Sequence, residues 1–395
     1  MGGAGGACGV WYTRGSTVLK NVTPSRFGLF LGVMLCQFAL FEAGLRLEGG
    51  SEAAPAFQRL FMTDERVGYR LRPGVSTRFK THEFETDIAI NSSGTRDDEI
   101  GSKQPNERRI VVLGDSLVMS IQVPLEVTFC KRLEERLNRD PEAGPYHYRV
   151  INAGVQGYGP VQEWLFFENV ARAFQSDVVL VALFVGNDAL EAADSASSLD
   201  ARRTTAADAR RNVYASIRRV VRRSMVLQIA RLRMMALADR LGRTPTLERA
   251  LTTYLPSAPP DVVRGLEVTR DSVSRIAALA AKDGAKTGVV LLPARFQLDD
   301  EDFGNLEAAA EQSGQTLVRD AATERFKAAL EGLPVPLMDA LPALRAASPR
   351  SGIFYKDTIH LTPRGHQVLA EALERFLLDS HLIQAAGQPP FVTSR

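Results

Sequence analysis

The chain has 395 residues, 45% hydrophobic and 24% charged, which is enough for one large globular domain or two modest ones. A formal net charge of +2 carries no global signal for nucleic acid. The three cysteines, Cys8, Cys36 and Cys130, are odd in number and Cys36 lies in an apolar run, which argues against a disulfide framework or a zinc site.

Residues 1–26 read as a cytoplasmic tail. Residues 27–41 are apolar except for Gln37, with Arg14, Lys20 and Arg26 ahead of them and Glu42, Glu48 and Glu52 behind. Basic residues before an apolar run hold the N-terminus in the cytoplasm and send the downstream chain across the membrane. Extended to residue 47 the run can span, so residues 27–47 are expected to form a transmembrane signal anchor. A cleaved signal peptide and a buried core helix are the competing readings. The flank Phe41-Glu42-Ala43 is poor for cleavage, and Leu35 stands where a lipoprotein signal needs a small residue before Cys36.

Residues 48–107 read as a linker followed by a small β-rich extension. Turn signals stand at Arg72-Pro73-Gly74 and Asn91-Ser92-Ser93-Gly94, and residues 85–90 alternate as a strand does. The domain proper is expected over residues 108–380. It opens on residues 109–116, a continuous apolar run that stops at Gly114-Asp115-Ser116, as a buried parallel strand would. Leu125, Phe129, Leu133 and Leu137 then predict an amphipathic helix over 125–137. A second strand covers 148–152, a second helix 161–174, and a third strand 177–185 ends in Gly186-Asn187-Asp188.

Residues 189–285 interrupt this alternation as a helical insertion. Its stretch 202–243 holds twelve arginines against Asp208 and Asp239, with apolar residues at helical intervals. Such a helix either packs on the core as a solvated insertion or lies on an anionic membrane surface. Beyond it come a helix over 261–282, a strand over 286–293, a broken helix over 308–331 and a short strand over 335–339. The motif Asp357-Thr358-Ile359-His360 precedes a last amphipathic helix, and 381–395 read as a flexible tail. Strands alternating with helices predict an α/β doubly wound parallel sheet, whose ligands sit beyond the strands' carboxyl ends.

Chemistry concentrates at those ends. Ser116 offers a hydroxyl that needs a base. Of His82, His147, His360, His366 and His381, only His360 has a carboxylate, Asp357, three residues earlier in a turn-like segment. Such a carboxylate would fix the imidazole tautomer. The backbone N–H groups of Ser116 and Gly154 and the side-chain amide of Asn187 would form an oxyanion hole. Each element alone has a duller reading: Gly-Asp-Ser as a turn, Asn187-Asp188 as a helix cap, and residues 154–159 as a glycine turn. His366 reads as structural. The glycines of 154–159 lack dinucleotide spacing, so no cofactor is implied. Asp, Glu and His do not cluster at metal-ligand spacing, so no metal is expected.

The four blocks Gly114-Asp115-Ser116, Asn152-Ala153-Gly154, Gly186-Asn187-Asp188 and Asp357-Thr358-Ile359-His360 resemble those of the SGNH/GDSL hydrolases. The segments Gly68-Tyr69-Arg70-Leu71-Arg72-Pro73 and Asn91-Ser92-Ser93-Gly94-Thr95-Arg96 resemble the lead-in of membrane-anchored bacterial members. The resemblance implies a flavodoxin-like three-layer sandwich with a parallel five-stranded sheet. It also implies Ser116, Asp357 and His360 as catalytic residues and Ser116, Gly154 and Asn187 as the oxyanion hole. Two positions depart from the pattern, Ser120 where glycine is common and Leu361 where proline is common. The Gly-x-Ser-x-Gly elbow of the α/β-hydrolases is absent. The expected activity is a serine esterase or deacylase acting on acylated glycans outside the cytoplasm, anchored at the periplasmic face of a bacterial inner membrane. Alternatives are an O-acetyltransferase of an envelope polysaccharide using the same acyl-serine, a lipid esterase, and a non-enzymatic glycan-binding or assembly protein. The expected partners are an acylated carbohydrate or other ester and the membrane, with no nucleic acid.

Overall fold

The computed structural model describes residues 57–202, 249–312, 314–347 and 352–383, together with residue 37. The chain divides into two units, and all described residues but residue 37 lie in the one formed by Ser51–Arg211 and Leu241–Arg395. The expected anchor at 27–47 and most of the basic stretch at 202–243 fall outside the described residues. Among the described residues no helix is long and apolar enough to cross a membrane.

Two antiparallel hairpins come first: β1 (Phe61–Asp64) with β2 (Gly68–Leu71), and β3 (Ser76–Lys80) with β4 (Glu85–Ala89). The main sheet is built from β5 (Glu107–Gly114), β6 (His147–Gly154), β7 (Val178–Phe184), β8 (Lys286–Leu292) and β9 (Leu337–Asp339). All neighbours are parallel in the order β6-β5-β7-β8-β9. This is the flavodoxin-like order, as expected, with its reversal point between β5 and β7. Every residue of β7 is buried, which explains its unbroken apolar run: helices cover both faces of a parallel sheet.

The helices are α1 (Ser116–Met119), α2 (Phe129–Arg139), α3 (Pro160–Asn169), α4 (Asp188–Arg202), α5 (Pro260–Lys282), α6 (Asp300–Glu311), α7 (Ala321–Leu330), α8 (Leu341–Ala346) and α9 (Pro363–Asp379). One helical layer packs α2, α8 and α9 together; the other packs α3, α4 and α5. The helix expected from residue 125 starts at Phe129. Residues 125–127 form a 3-10 turn after Pro124, and the extended Thr128 caps α2 by accepting the Lys131 N–H. The broken helix expected at 308–331 is two helices, α6 and α7, with Asp320 as the N-cap of α7.

The helix after the Asn187 loop is seated backbone to backbone. A Cβ on Gly265 of α5 would lie 1.7 Å from the carbonyl oxygen of Ala189 in α4. No rotamer relieves a clash with a main-chain atom. Gly265→Ala should therefore destabilise the protein by about 1–3 kcal/mol, the usual cost of overpacking a closed core. Urea unfolding followed by circular dichroism should show a lower midpoint with an unchanged slope.

Candidate active site

Register brings the site's segments level. Gly114 pairs with Gly154 on one side and with Ala182 on the other, so β5, β6 and β7 release their loops at one edge of the sheet. Ser116 starts α1, one turn long, with Asp115 as N-cap accepting the Leu117 N–H at 2.8 Å. α1 lies directly on the end of β6. A Cβ on Gly154 would stand 2.4 Å from the Met119 nitrogen and 2.6 Å from Val118 Cβ. Asn152 binds the two together: its Nδ2 donates to the Val118 carbonyl at 2.8 Å, and its Oδ1 accepts the Gly154 N–H at 3.1 Å.

This corrects the expected oxyanion hole. The Gly154 N–H is already given to Asn152, and the missing side chain admits α1. The next glycine fits the donor role better. Gly157 has φ +73°, is exposed, and its N–H has no acceptor among the described residues. Tyr69 of β2 holds this loop by donating its hydroxyl to the Gln156 and Gly157 carbonyls, each at 2.9 Å. Asn187 follows β7 as expected, and its Nδ2 donates to Glu191 Oε1 at 2.7 Å. An amide has two such N–H donors, so one stays available.

His360 lies on a loop joined to the segment after α1, where the Tyr355 hydroxyl donates to the Gln122 carbonyl at 3.2 Å. Both His360 ring nitrogens are buried and neither has a hydrogen-bond partner. Neither the expected bond to Asp357 nor one to Ser116 is formed here. Asp357 is bonded instead to His82 Nε2, from the turn between β3 and β4. Catalytic bonds are often loose before substrate arrives. Burial lowers the His360 pKa to about 4, which keeps the ring neutral and able to accept a proton at neutral pH. His366 is structural, as expected: its Nδ1 accepts the Phe129 N–H at 3.2 Å, and its ring stacks on Phe129.

Several supporting residues were not singled out from sequence. Arg96 is 1% exposed and donates to the Met119 carbonyl at 2.8 Å, to the Ser120 carbonyl, and to the Val123 carbonyl at 2.6 Å. It thereby satisfies the carbonyls where α1 ends. Asp97 pairs with Lys131 of α2 at 2.6 Å and accepts the Asn152 N–H at 2.6 Å. His82, Glu83 and Asp357 bring their ligand atoms within 4.8 Å of one another, a grouping that sequence spacing hides because His82 and Asp357 are 275 residues apart. Both Glu83 oxygens already accept backbone N–H groups there, from Lys356 and Asp357.

Behind Ser116 and Asn187 stands a set of interacting buried acids: Asp115, Glu163, Asp188 and Glu191. Both oxygens of Glu163 and one each of Asp188 and Glu191 are unpartnered. Its one sequence signal is an acid at position 163 in the apolar stripe of α3, beside Phe166 and Phe167. Burial raises all four pKa values, that of Asp115 to about 6 and that of Glu191 to about 8, while Glu163 and Asp188 rise well above the carboxylate range.

A serine hydroxyl, a neutral imidazole and an amide stand in loops and a short helix around the switch point of a parallel sheet, an arrangement compatible with an ester-acting enzyme. Residues 259–395, which include Asp357 and His360, match the family model described as SGNH hydrolase-like domain, acetyltransferase AlgX. This part of the chain is similar to that family, in line with the resemblance of the four sequence blocks to the SGNH/GDSL hydrolases. No curated protein matches it. Among solved structures, TesA is 16% identical with a TM-score of 0.39, covering 70% of this chain and 100% of its own. A lipase/acylhydrolase from Enterococcus faecalis is 12% identical with a TM-score of 0.37, covering 72% of this chain and 100% of its own. Overlays this loose carry no argument about activity.

The buried acids make stability depend on pH. A carboxyl whose folded pKa is raised favours the fold while protonated. That contribution is complete below the ordinary carboxyl range, about 4. It is lost as pH rises through the folded value, about 6 for Asp115 and about 8 for Glu191. The melting temperature should therefore fall between about pH 5 and pH 9. Glu163→Gln should flatten that slope, because it removes one charge and supplies a donor; equal slopes in calorimetric scans would contradict the assignment.

Proposed function

We propose that this chain is a serine esterase or deacylase that removes acyl groups from glycans through an acyl-serine intermediate. The observation that carries the reading is Ser116 at the head of α1, level with the Asn187 loop and with a glycine loop that has a free N–H. Ser116 Oγ attacks the ester carbonyl and its proton passes to His360. The oxyanion is met by the Asn187 amide and the Gly157 N–H. His360 returns the proton to the departing sugar oxygen, and water then releases the acid by the same steps. In this scheme Asp357 is the carboxylate that steadies the imidazolium.

A cavity of about 310 Å³ beside the Asp357–His360 loop supports a sugar over an acyl chain. Its lining includes Arg295, Asp299, Asp302 and Lys356 together with the rings of Phe354 and Tyr355, which suits hydroxyl groups and pyranose faces. The second reading is O-acetyl transfer to a glycan hydroxyl. It is favoured by the description of the family model over 259–395 and differs only in what takes the acyl group from Ser116. The basic flank ahead of residues 27–47 supports a location outside the cytoplasm, tethered by that segment.

Ser116→Ala should abolish release of p-nitrophenol from the acetate ester, and retained turnover would refute the nucleophile. Asn187→Ala should lower kcat roughly 100- to 1,000-fold, as loss of one oxyanion donor does. With an acetylated donor and an oligosaccharide acceptor, mass spectrometry separates the two readings: acetylated oligosaccharide marks transfer, and free acetate alone marks hydrolysis. Alkaline carbonate extraction of membranes should leave the full-length chain in the pellet.

A further inference from the structure

The Asp357–His360 loop is gripped by a piece of the chain outside the sheet, the turn between β3 and β4. The Glu83 carboxylate accepts the Lys356 N–H at 2.8 Å and the Asp357 N–H at 3.1 Å. The Phe84 and Tyr355 rings lie 5.5 Å apart. The turn itself is closed by Thr81, whose hydroxyl oxygen accepts the Glu83 and Phe84 N–H groups at 3.2 and 3.1 Å. From the other side Arg295 donates to the Tyr355 and Lys356 carbonyls. The backbone leading into the catalytic motif is thus pinned at both its N–H and its carbonyl groups.

His82 adds a second effect. It is bonded to the Asp357 carboxylate, while His360, three residues further on, has no partner at either nitrogen. One carboxylate has one imidazole in hand and another beyond it in the same loop. The contact with His82 is exposed, with 76% and 60% of the two side chains open to solvent, so water and salt weaken its hold. The bond to His360 would lie in a buried, lower-dielectric setting, where a charge-assisted hydrogen bond is stronger.

We propose that the tip of this hairpin is a positioning element for the reaction: Glu83 sets the backbone of the Asp357–His360 loop, and His82 competes with His360 for the Asp357 carboxylate. This rests on the ester-cleaving reading given above. While Asp357 is on His82, His360 lacks the partner that fixes its tautomer, and transfer from Ser116 is slowed. When Asp357 leaves His82, the relay is complete.

The test uses the full-length chain with His82→Ala and Glu83→Gln, reading kcat and KM separately on a p-nitrophenyl ester. Proton NMR follows the far-downfield N–H signal of a buried imidazole bonded to a carboxylate, which the solvent-exposed His82 N–H does not give because it exchanges with water. His82→Ala should raise kcat severalfold at unchanged KM and strengthen that downfield signal, which Asp357→Asn should then remove. Glu83→Gln retains the side-chain length but only one acceptor oxygen; it should lower kcat by about tenfold to a hundredfold at unchanged KM. Melting temperatures verify that the variants fold. If His82→Ala fails to raise kcat, or leaves the downfield signal as in the wild type, His82 is not a competitor. If Glu83→Gln turns over like the wild type, Glu83 does not position the loop. The NMR signal needs no turnover, so it reports on the partner of Asp357 even if Ser116→Ala shows that the ester chemistry lies elsewhere.

Discussion

The active edge depends on seating one turn of helix, α1, against the end of β6. That turn has no length to stabilise itself, since a single hydrogen-bonded turn fixes many dihedrals for few bonds. It is held from outside. Gly154 lets its backbone approach within contact, Asn152 bonds to the Val118 carbonyl, and Arg96 caps the carbonyls where it ends. Burying a guanidinium is costly, and here burial lowers its pKa to about 10. The cost is offset by main-chain carbonyls that would otherwise be buried without donors. Ser116 is therefore positioned by groups outside the set proposed to react.

The two hairpins before the sheet share a purpose. The first reaches the glycine loop through Tyr69, and the second reaches the Asp357–His360 loop through Glu83 and His82. Loops at the carboxyl edge of a parallel sheet carry function but have few partners of their own. Here the extension supplies those partners. The acid cluster works against stability instead. Four carboxyl groups are buried beside the site, three of them with unpartnered oxygens, and such an expense is common near reaction centres.

The features readable from the chain alone rest on local physics. The inner strands of the sheet were legible because two-sided burial demands continuous apolar runs, as in residues 178–184; the edge strand β9 is only half-buried. That the sheet is parallel followed from the alternation of strands with helices, while its flavodoxin-like form came from the family resemblance. Ser116, Asn187 and His360 were singled out because they follow strands or precede the last helix, where a parallel sheet carries its functional loops. His366 was read as structural from its place at the start of that helix, and its bond to Phe129 agrees. The start of α2 was misread by four residues, because the stripe from Leu125 ignores the turn after Pro124 and the cap at Thr128.

The tertiary structure alone decided who partners whom. Sequence spacing paired Asp357 with His360, but the fold brings His82 to Asp357 across 275 residues. It gave Gly154 a donor's role, but the close approach of α1 requires the bare Cα and Asn152 takes its N–H, leaving Gly157 open. Glu163 sits in an apolar stripe, and only packing shows it facing other acids. Periodicity and strand ends are local properties, set by covalent geometry and by one residue's neighbours along the chain. Hydrogen-bond partners are set by which distant segments the folded sheet brings to the same edge, and no spacing along the chain encodes that distance.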